Sequence, residues 1–267
     1  MSTLYIVGTP IGNLEDVTLR ALRVLKEADV ILCEDTRVMK RLLGHYGIAH
    51  KQLATYNEKQ SGVSAEKVVG WLEEGKNIVL VSDAGTPGVS DPGAALVRSI
   101  VEKFGSCSAN LADLQRAKLQ NLPTIAAVPG PSALTAALSV AGVPAHDFVF
   151  LGFLPHKKGR ETLFKEIAAS KRTVVFYESP HRILKTLQSL EKFLKGSTSP
   201  SDGEVEPLLK KIVVCRELTK IHEEVKSGTA AELLEFFKNN PEKVRGEFVV
   251  FIADSDDCAR TSADVKV

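Results

Sequence analysis

Three short loops rich in glycine and proline each follow an apolar run of strand length, and a segment with helical spacing follows each loop. They span residues 8–13, 82–88 and 129–132. Repetition of strand, loop and helix predicts an α/β fold with a parallel sheet. Open α/β sheets bind ligands at the carboxyl ends of their strands, so the three loops are predicted to build one ligand site.

The same alternation continues through a second half of the chain, so the 267 residues predict two α/β domains. We expect an N-terminal domain over residues 1–128, a C-terminal domain over 129–253 and a disordered tail over 254–267. Residues 106–122 are polar at their start and are predicted to be an insertion. The predicted strands are 5–7, 30–33, 78–81, 124–128, 148–151, 173–177, 211–215 and 248–252. The predicted helices are 16–28, 38–45, 64–74, 91–104, 133–141, from about 161, 183–194 and 230–239.

Composition narrows the class of protein without naming a ligand. The net charge is +1, from 34 Lys and Arg against 33 Asp and Glu, so any polyanion must meet a local basic patch. The four cysteines form no CxxC pair, which argues against a zinc or redox motif. The N-terminal residues lack the features of a signal peptide, and no apolar run approaches the ~20 residues of a membrane helix. We therefore expect a reduced, cytoplasmic location and no membrane partner.

The three loops lack phosphate-binding chemistry. Gly8 and Gly12 are four residues apart with Pro10 between them, which does not fit the dinucleotide fingerprint, and no Walker lysine follows. Asp83 either caps a turn or anchors an amine, a ribose or a sulfonium, and Ser132 either caps a helix or faces the ligand. Each loop could also be a plain strand-to-helix turn. A cofactor that carries adenosine without phosphate fits best, and S-adenosylmethionine is the natural candidate.

Four segments resemble motifs of the tetrapyrrole methylase superfamily, at residues 8–13, 82–93, 128–133 and 177–182. Residues 34–37, 216–220, 222–224 and 246–249 narrow the resemblance to its branch of ribosomal RNA methyltransferases. The match runs from about Thr3 to Ile252, although residues 106–122 and 197–208 look longer than the usual pattern.

This resemblance implies two α/β domains of the tetrapyrrole methylase type, with the cofactor in the cleft between them, and a homodimer. It also implies methyl transfer from S-adenosylmethionine to the ribose 2′-oxygen of a cytidine in the decoding region of 16S ribosomal RNA, without a metal. Whether the substrate is free RNA or the assembled small subunit stays open.

Methyl transfer depends on positioning the reactants, and a ribose hydroxyl also needs a base or a polarising cation. The catalytic candidates are Asp35, Arg37, Glu178 and Lys220, of which Asp35 and Arg37 are the preferred pair for organising the substrate. Glu178 with Arg182 could instead be an ion pair on a helix turn, and Glu217 with Lys220 an inter-domain salt bridge. The predicted cofactor contacts are Thr9, Pro10, Gly12, Asp83, Gly85, Ser132, Ala133, Tyr177 and Gly246. The predicted RNA contacts are the basic residues Lys157, Lys158, Arg160, His181 and Arg182.

Three other functions compete with this interpretation. A tetrapyrrole C-methyltransferase of the same superfamily would need a site for a large acidic macrocycle, which a basic loop could also serve. Diphthine synthase is a further relative. A nucleotide-binding regulator without catalysis would use the strand-end loops alone.

Overall fold

The computed structural model describes residues 2–49, 51–57, 62–105, 122–195 and 210–254. It divides into two compact units, with the division after Ser132, whereas the sequence analysis places the boundary after residue 128. Residues 106–121, 197–208 and 255–267, which include most of the expected insertion and nearly all of the expected tail, lie outside the described residues.

The first unit alternates strands and helices. Its elements are β1 (Thr3–Val7), α1 (Leu19–Glu27), β2 (Val30–Cys33), α2 (Thr36–His45), β3 (Gln52–Thr55), α3 (Ala65–Glu73), β4 (Ile78–Leu80), α4 (Ala94–Phe104) and β5 (Thr124–Val128), with a short 3-10 helix at Leu14–Asp16. The five strands are parallel in the order β3-β2-β4-β1-β5, which confirms the predicted parallel sheet.

Helices cover both faces of this sheet. The central strands are apolar along their length, so both of their faces have to be buried. α1 and α2 pack on one face through Leu25 and Leu42, and α3 and α4 pack on the other through Leu72 and Ile100. β1 and β4 are neighbours in the sheet, but the helices that follow them, α1 and α4, pack on opposite faces of it. Such a switch point opens a crevice at the carboxyl edge, where ligands bind in open α/β sheets.

The four helices of this unit begin one to three residues away from their predicted starts, and the starts of α2 and α4 have identifiable causes. α2 begins at Thr36 because the Asp35 side chain accepts a hydrogen bond from the backbone N–H of Arg37. α4 begins only at Ala94, so the expected start at residue 91 is wrong. Gly93, with φ 142°, is the N-cap residue and supplies no side-chain cap.

The second unit holds a mixed sheet. Its elements are α5 (Ala133–Val140), β6 (Phe148–Phe153), α6 (Arg160–Ala169), β7 (Thr173–Glu178), α7 (Ile183–Lys195), β8 (Lys210–Arg216), β9 (Glu224–Gly228), α8 (Ala230–Asn239) and β10 (Phe248–Asp254), with a 3-10 helix at Pro241–Lys243. The strand order is β6-β7-β10-β8-β9, and only the β6–β7 pair is parallel. α6, α7 and α8 pack on one face through Phe164, Leu187 and Leu233.

Cys33 and Cys215 are buried, as expected for small apolar side chains. No described helix combines the length and the apolar character that crossing a membrane demands.

Candidate active site

The three loops are joined by hydrogen bonds at the carboxyl edge of the first sheet. Thr9 and Gly85 exchange two backbone hydrogen bonds, of 2.8 and 3.0 Å. The Thr9 hydroxyl donates to the carbonyl of Ser82 (3.2 Å), and the Thr86 hydroxyl donates to the carbonyl of Pro131 (3.0 Å). The expected convergence of the loops is therefore present, and we call this part of the molecule the loop platform.

Two glycines allow the first and third loops to approach each other. A Cβ placed on Gly8 would lie 2.9 Å from the Cα of Gly130, and one on Gly130 would lie 2.8 Å from the carbonyl oxygen of Gly8. Both contacts are with backbone, which cannot move aside as a flexible side chain does. Glycine is needed here for close approach, rather than for a phosphate.

A cavity of about 200 Å³ opens beside the first two loops and α2. Among its lining residues are the predicted site residues Thr9, Pro10, Gly12, Asp35 and Asp83. α2 adds lining residues that the sequence analysis does not predict. They are Val38, Met39, Arg41 and Leu42, whose spacing places them on adjoining turns of one helix.

Asp35, Arg37 and Asp83 form a hydrogen-bonded group at the cavity. The Asp35 carboxylate takes a bidentate contact from the Arg37 guanidinium, with the shortest N–O distance 2.6 Å. Oδ1 of Asp83 accepts from the backbone N–H of Asp35 at 2.9 Å. The hydrogen bonds from Arg37 lower the pKa of Asp35 to about 2, whereas burial raises the pKa of Asp83. Asp35 is thus an ionised helix cap and a poor proton acceptor, and its own backbone N–H is bound by Asp83.

Glu178 lies in a buried network in the second unit. Its side chain is fully buried; Oε1 accepts from the Ser179 N–H (2.8 Å) and lies 3.2 Å from Arg182 Nε, while Oε2 accepts from the Thr186 hydroxyl (2.6 Å). Arg182 also donates to the carbonyl of Leu154 (2.6 Å). Both carboxylate oxygens are therefore engaged within the protein, which favours a positioning role over a direct catalytic one.

Arg160 belongs to the same network. Its guanidinium donates to the Thr186 hydroxyl (2.7 Å) and to the Pro155 carbonyl (3.1 Å), and it stacks over Phe164. Burial, followed by the nearby charge of Arg182, lowers the pKa of Arg160. Arg160 and Arg182 therefore fasten the loop between β6 and α6 by its carbonyls.

The remaining basic candidates are on the surface. Lys157, Lys158 and His181 are exposed to solvent. The two lysines lie in the loop that Arg160 and Arg182 fasten, so they are presented to solvent by a fixed segment of backbone.

Lys220 is held between two carboxylates. Its Nζ lies 2.8 Å from Glu217 Oε1 and 3.1 Å from Glu247 Oε2. Burial alone would lower the pKa of Lys220, but hydrogen bonds and charge from both glutamates raise it. Burial alone would raise the pKa of Glu217, but the hydrogen bond and charge from Lys220 help to lower it. Lys220 is therefore a fixed cation and not a proton acceptor.

The backbone around Lys220 is strained. Glu217 and Thr219 have positive φ values of 50° and 64°, which cost energy in residues other than glycine. Gly246 has φ 81°, and a Cβ there would lie 1.9 Å from Glu217 Oε1. Gly246 is thus required to leave room for the carboxylate that binds Lys220. Glu217 and Lys220 both belong to the second unit, so an inter-domain bridge between them is wrong. Neither the pairing with Glu247 nor the strain at Thr219 is predictable from the local sequence.

The motif residues of the second unit gather at one edge of its sheet. Phe248, at the start of β10, pairs with Glu178 at the end of β7 and with Arg216 at the end of β8. Tyr177 contacts the rings of Phe150 and Phe153 edge-on, with centroid distances of 4.9 and 5.5 Å. Ser132 and Ala133 lie at the division between the units. Within the described ranges, no group of three or more His, Cys, Asp or Glu side chains is placed to hold a metal ion.

This arrangement, a parallel sheet with a loop platform followed by a mixed sheet with polar strand ends, defines the class of protein. Residues 3–234 match the family model for Tetrapyrrole (Corrin/Porphyrin) Methylases. The crystal structure of the methyltransferase CobJ superposes with a TM-score of 0.57 over 95% of this chain and 94% of that one; at 22% identity the likeness concerns the fold.

Closer relatives specify the branch. The chain is 39% identical to ribosomal RNA small subunit methyltransferase I of Thermotoga maritima, over 96% of this chain and 100% of that protein. It is 41% identical to the protein of the same name from Escherichia coli O157:H7, over 93% of this chain and 77% of that protein. The chain belongs to the ribosomal RNA small subunit methyltransferase I family of the tetrapyrrole methylases.

Proposed function

We propose that this protein transfers a methyl group from S-adenosylmethionine to the 2′-oxygen of a cytidine ribose in the decoding region of small-subunit ribosomal RNA. The observation that carries the proposal is the likeness along nearly the whole chain to proteins named as ribosomal RNA methyltransferases. The loop platform supports it, because three loops joined at the carboxyl edge of a parallel sheet lie where α/β proteins bind their ligands.

We assign the cofactor to the loop platform, and the family resemblance adds contacts from residues of the second unit. Thr9, Pro10, Gly12 and Gly85 would contact it from the first two loops. Ser132, Ala133, Tyr177 and Gly246 complete the proposed contacts, and Asp83 is a further candidate.

The residues of this chain then have to orient the ribose hydroxyl and balance the negative charge that develops on its oxygen during the reaction. The 2′-oxygen would attack the methyl carbon as the carbon–sulfur bond breaks, so that S-adenosylhomocysteine leaves with the bonding electron pair and the hydroxyl proton passes to solvent. S-adenosylmethionine supplies the methyl group on a sulfonium centre. In this scheme Lys220 is the cation that stabilises negative charge developing on the 2′-oxygen. Asp35 with Arg37 fixes the cavity wall, and Glu178 fixes the strand end from which Arg182 reaches the β6–α6 loop.

Lys157, Lys158 and His181 are the proposed contacts to RNA phosphates, with Arg160 and Arg182 holding the loop that carries both lysines. The substrate is the ribosomal RNA or the assembled small subunit. From the family resemblance we also propose that the protein is a homodimer and is located in the cytoplasm. Sedimentation of the purified protein would test the oligomeric state.

The function is tested with small ribosomal subunits from a strain that lacks the enzyme. The protein is incubated with these subunits, or with their purified RNA, and with S-adenosylmethionine labelled in the methyl group. The labelled nucleotide is then mapped. We expect one ribose-methylated cytidine; label on a base, or none on RNA, would contradict the proposal. Subunits from a strain that has the enzyme are the control and should accept no label.

A further inference from the structure

The cavity lies beside an exposed basic face of α2. Arg37, Lys40 and Arg41 are all exposed, and their spacing of three and four residues places them on one side of the helix. Arg41 also lines the cavity. S-adenosylmethionine offers one carboxylate and no phosphate, and Arg37 is paired with Asp35. Lys40 and Arg41 add more positive charge than that single carboxylate would balance. The basic face suits a polynucleotide, whose phosphates flank every base.

The interior of the cavity differs from its basic rim. Its walls include the apolar side chains of Met39, Leu42 and Val81, while Asp83 lines it with a carboxylate. Apolar walls can replace the stacking that a base loses when it leaves its neighbours.

The third loop, at residues 129–132, contributes no lining residue. The cavity therefore lies between α2 and the first two loops of the platform, and it shares Thr9, Pro10 and Gly12 with the proposed cofactor contacts. A shared wall of this kind is expected for the second reactant of a two-substrate transfer, because the two reactants must meet.

Resting on the proposed function, we propose that this cavity binds the nucleobase of the nucleotide to be methylated, with Asp83 accepting a hydrogen bond from an exocyclic amine of the base and Arg41 contacting a flanking phosphate. This gives Asp83 a role in substrate selection instead of cofactor binding.

The charge of Asp83 selects the kind of base. Its Oδ1 accepts one hydrogen bond from the Asp35 N–H, and a carboxylate offers further lone pairs on both oxygens. The N4 amine of cytosine can donate to such a group. Uracil presents the O4 acceptor at the same position, so its oxygen would face the carboxylate and be repelled.

The test compares the binding of two ribo-oligomers of equal length, one of cytidine and one of uridine, at a fixed salt concentration. We expect the wild-type protein to bind the cytidine oligomer at least about 5-fold more tightly. Asp83→Asn should reduce this preference to within about 2-fold, because the new amide can present its N–H₂ group to the O4 of uracil. Its remaining oxygen can still accept from the Asp35 N–H, so the fold should persist. Glu27→Gln, at an exposed carboxylate on α1 that pairs with Arg23, is the matched control and should keep the wild-type preference.

Two further measurements separate the alternatives. The affinity of Asp83→Asn for S-adenosylmethionine should equal that of the wild type. If instead that affinity falls while the cytidine preference stays, the cavity serves the cofactor and the proposal fails. Arg41→Gln should weaken both oligomers equally and flatten the salt dependence.

No preference in the wild-type protein, or no measurable binding of either oligomer, would also reject the proposal. Because these measurements need no methyl transfer, a failure of this proposal can be told apart from a failure of the labelling experiment. If the ribosomal subunits take up no label while the cytidine preference still depends on Asp83, only the proposed function is refuted.

Discussion

Gly8 and Gly130 meet backbone to backbone, so closely that a Cβ on Gly8 would lie 2.9 Å from the Cα of Gly130. The first and third loops are joined at this point, one residue after β1 and two residues after β5. The geometry of the loop platform therefore depends on the absence of two side chains.

Gly8→Ala should destabilise the protein by about 1–3 kcal/mol, because the added methyl group meets backbone that cannot move aside. It should also weaken the binding of S-adenosylmethionine. Urea unfolding and calorimetric titration measure the two effects. Gly70→Ala is the control: it lies within α3 with nothing near its Cβ, and alanine there should stabilise the helix by about 1 kcal/mol. Equal stability of the two variants would show that the loops can separate without cost.

Two Arg–Glu pairs four residues apart give a second comparison. Glu178 with Arg182 is almost buried, whereas Arg23 with Glu27 is more than half exposed. Glu178→Ala removes the buried carboxylate that both Arg182 and Thr186 bind, and it should cost about 3 kcal/mol. Glu27→Ala should change stability by no more than about 0.5 kcal/mol. Similar values in urea unfolding would contradict a structural role for the buried network.

Lys157 and Lys158 should contribute to RNA affinity without contributing to the fold. We expect Lys157→Ala with Lys158→Ala to weaken RNA binding and to lower the slope of log affinity against log salt by about 0.7 for each phosphate that is no longer neutralised. Arg160→Ala should instead lower the unfolding midpoint, since it ties Thr186 to the Pro155 carbonyl. If the slope of log affinity against log salt is unchanged in the double variant, the RNA does not contact Lys157 and Lys158.

Lys220 gives a prediction for the dependence of the reaction on pH. The pKa of Glu217 is lowered and that of Lys220 is raised. The stability from Glu217 is present above its unfolded pKa and is lost as the pH falls through the lower folded value. The stability from Lys220 is present below its unfolded pKa and is lost as the pH rises through the higher folded value. The pair is thus charged from about pH 6 to about pH 9.

The rate of methyl transfer should accordingly show no ionisation of Lys220 across that range. Lys220→Met should slow the transfer about 100-fold or more, since a fixed charge near the reacting oxygen is removed, and Lys220→Arg should retain more activity than Lys220→Met. A rate that rises with pH in the wild type but not in Lys220→Arg would show that Lys220 acts as a base.

Strong apolar runs were predictable from the sequence, and polar strands were not. β2 is the fully buried run Val30–Cys33, whose composition alone indicates a strand. β3 and β9 lie at sheet edges and carry polar, partly exposed residues, so their pairing depends on a neighbouring strand rather than on local sequence.

Roles at the candidate site depend on contacts between distant segments. A glutamate at a strand end, such as Glu178, is a natural candidate for catalysis. In the folded protein it is buried and bound by Thr186 on α7 and by Arg182 in the turn before that helix. The spacing of these residues along the chain does not predict that geometry. The convergence of the three loops was predictable, because parallel strands place their carboxyl ends together. The contribution of α2 to the cavity was not, since its basic and apolar residues are equally typical of an ordinary amphipathic surface.

The position of β10 between β7 and β8 has a consequence for synthesis on the ribosome. The strands of the first sheet are complete once residue 128 has been made, so that unit can begin to form while translation continues. The second sheet lacks its central strand until Phe248–Asp254 emerges. Among the described strands, only β10 joins the β6–β7 pair to the β8–β9 pair by hydrogen bonds. A chain cut short before residue 248 would leave two separate ribbons with open edges, which are prone to aggregate.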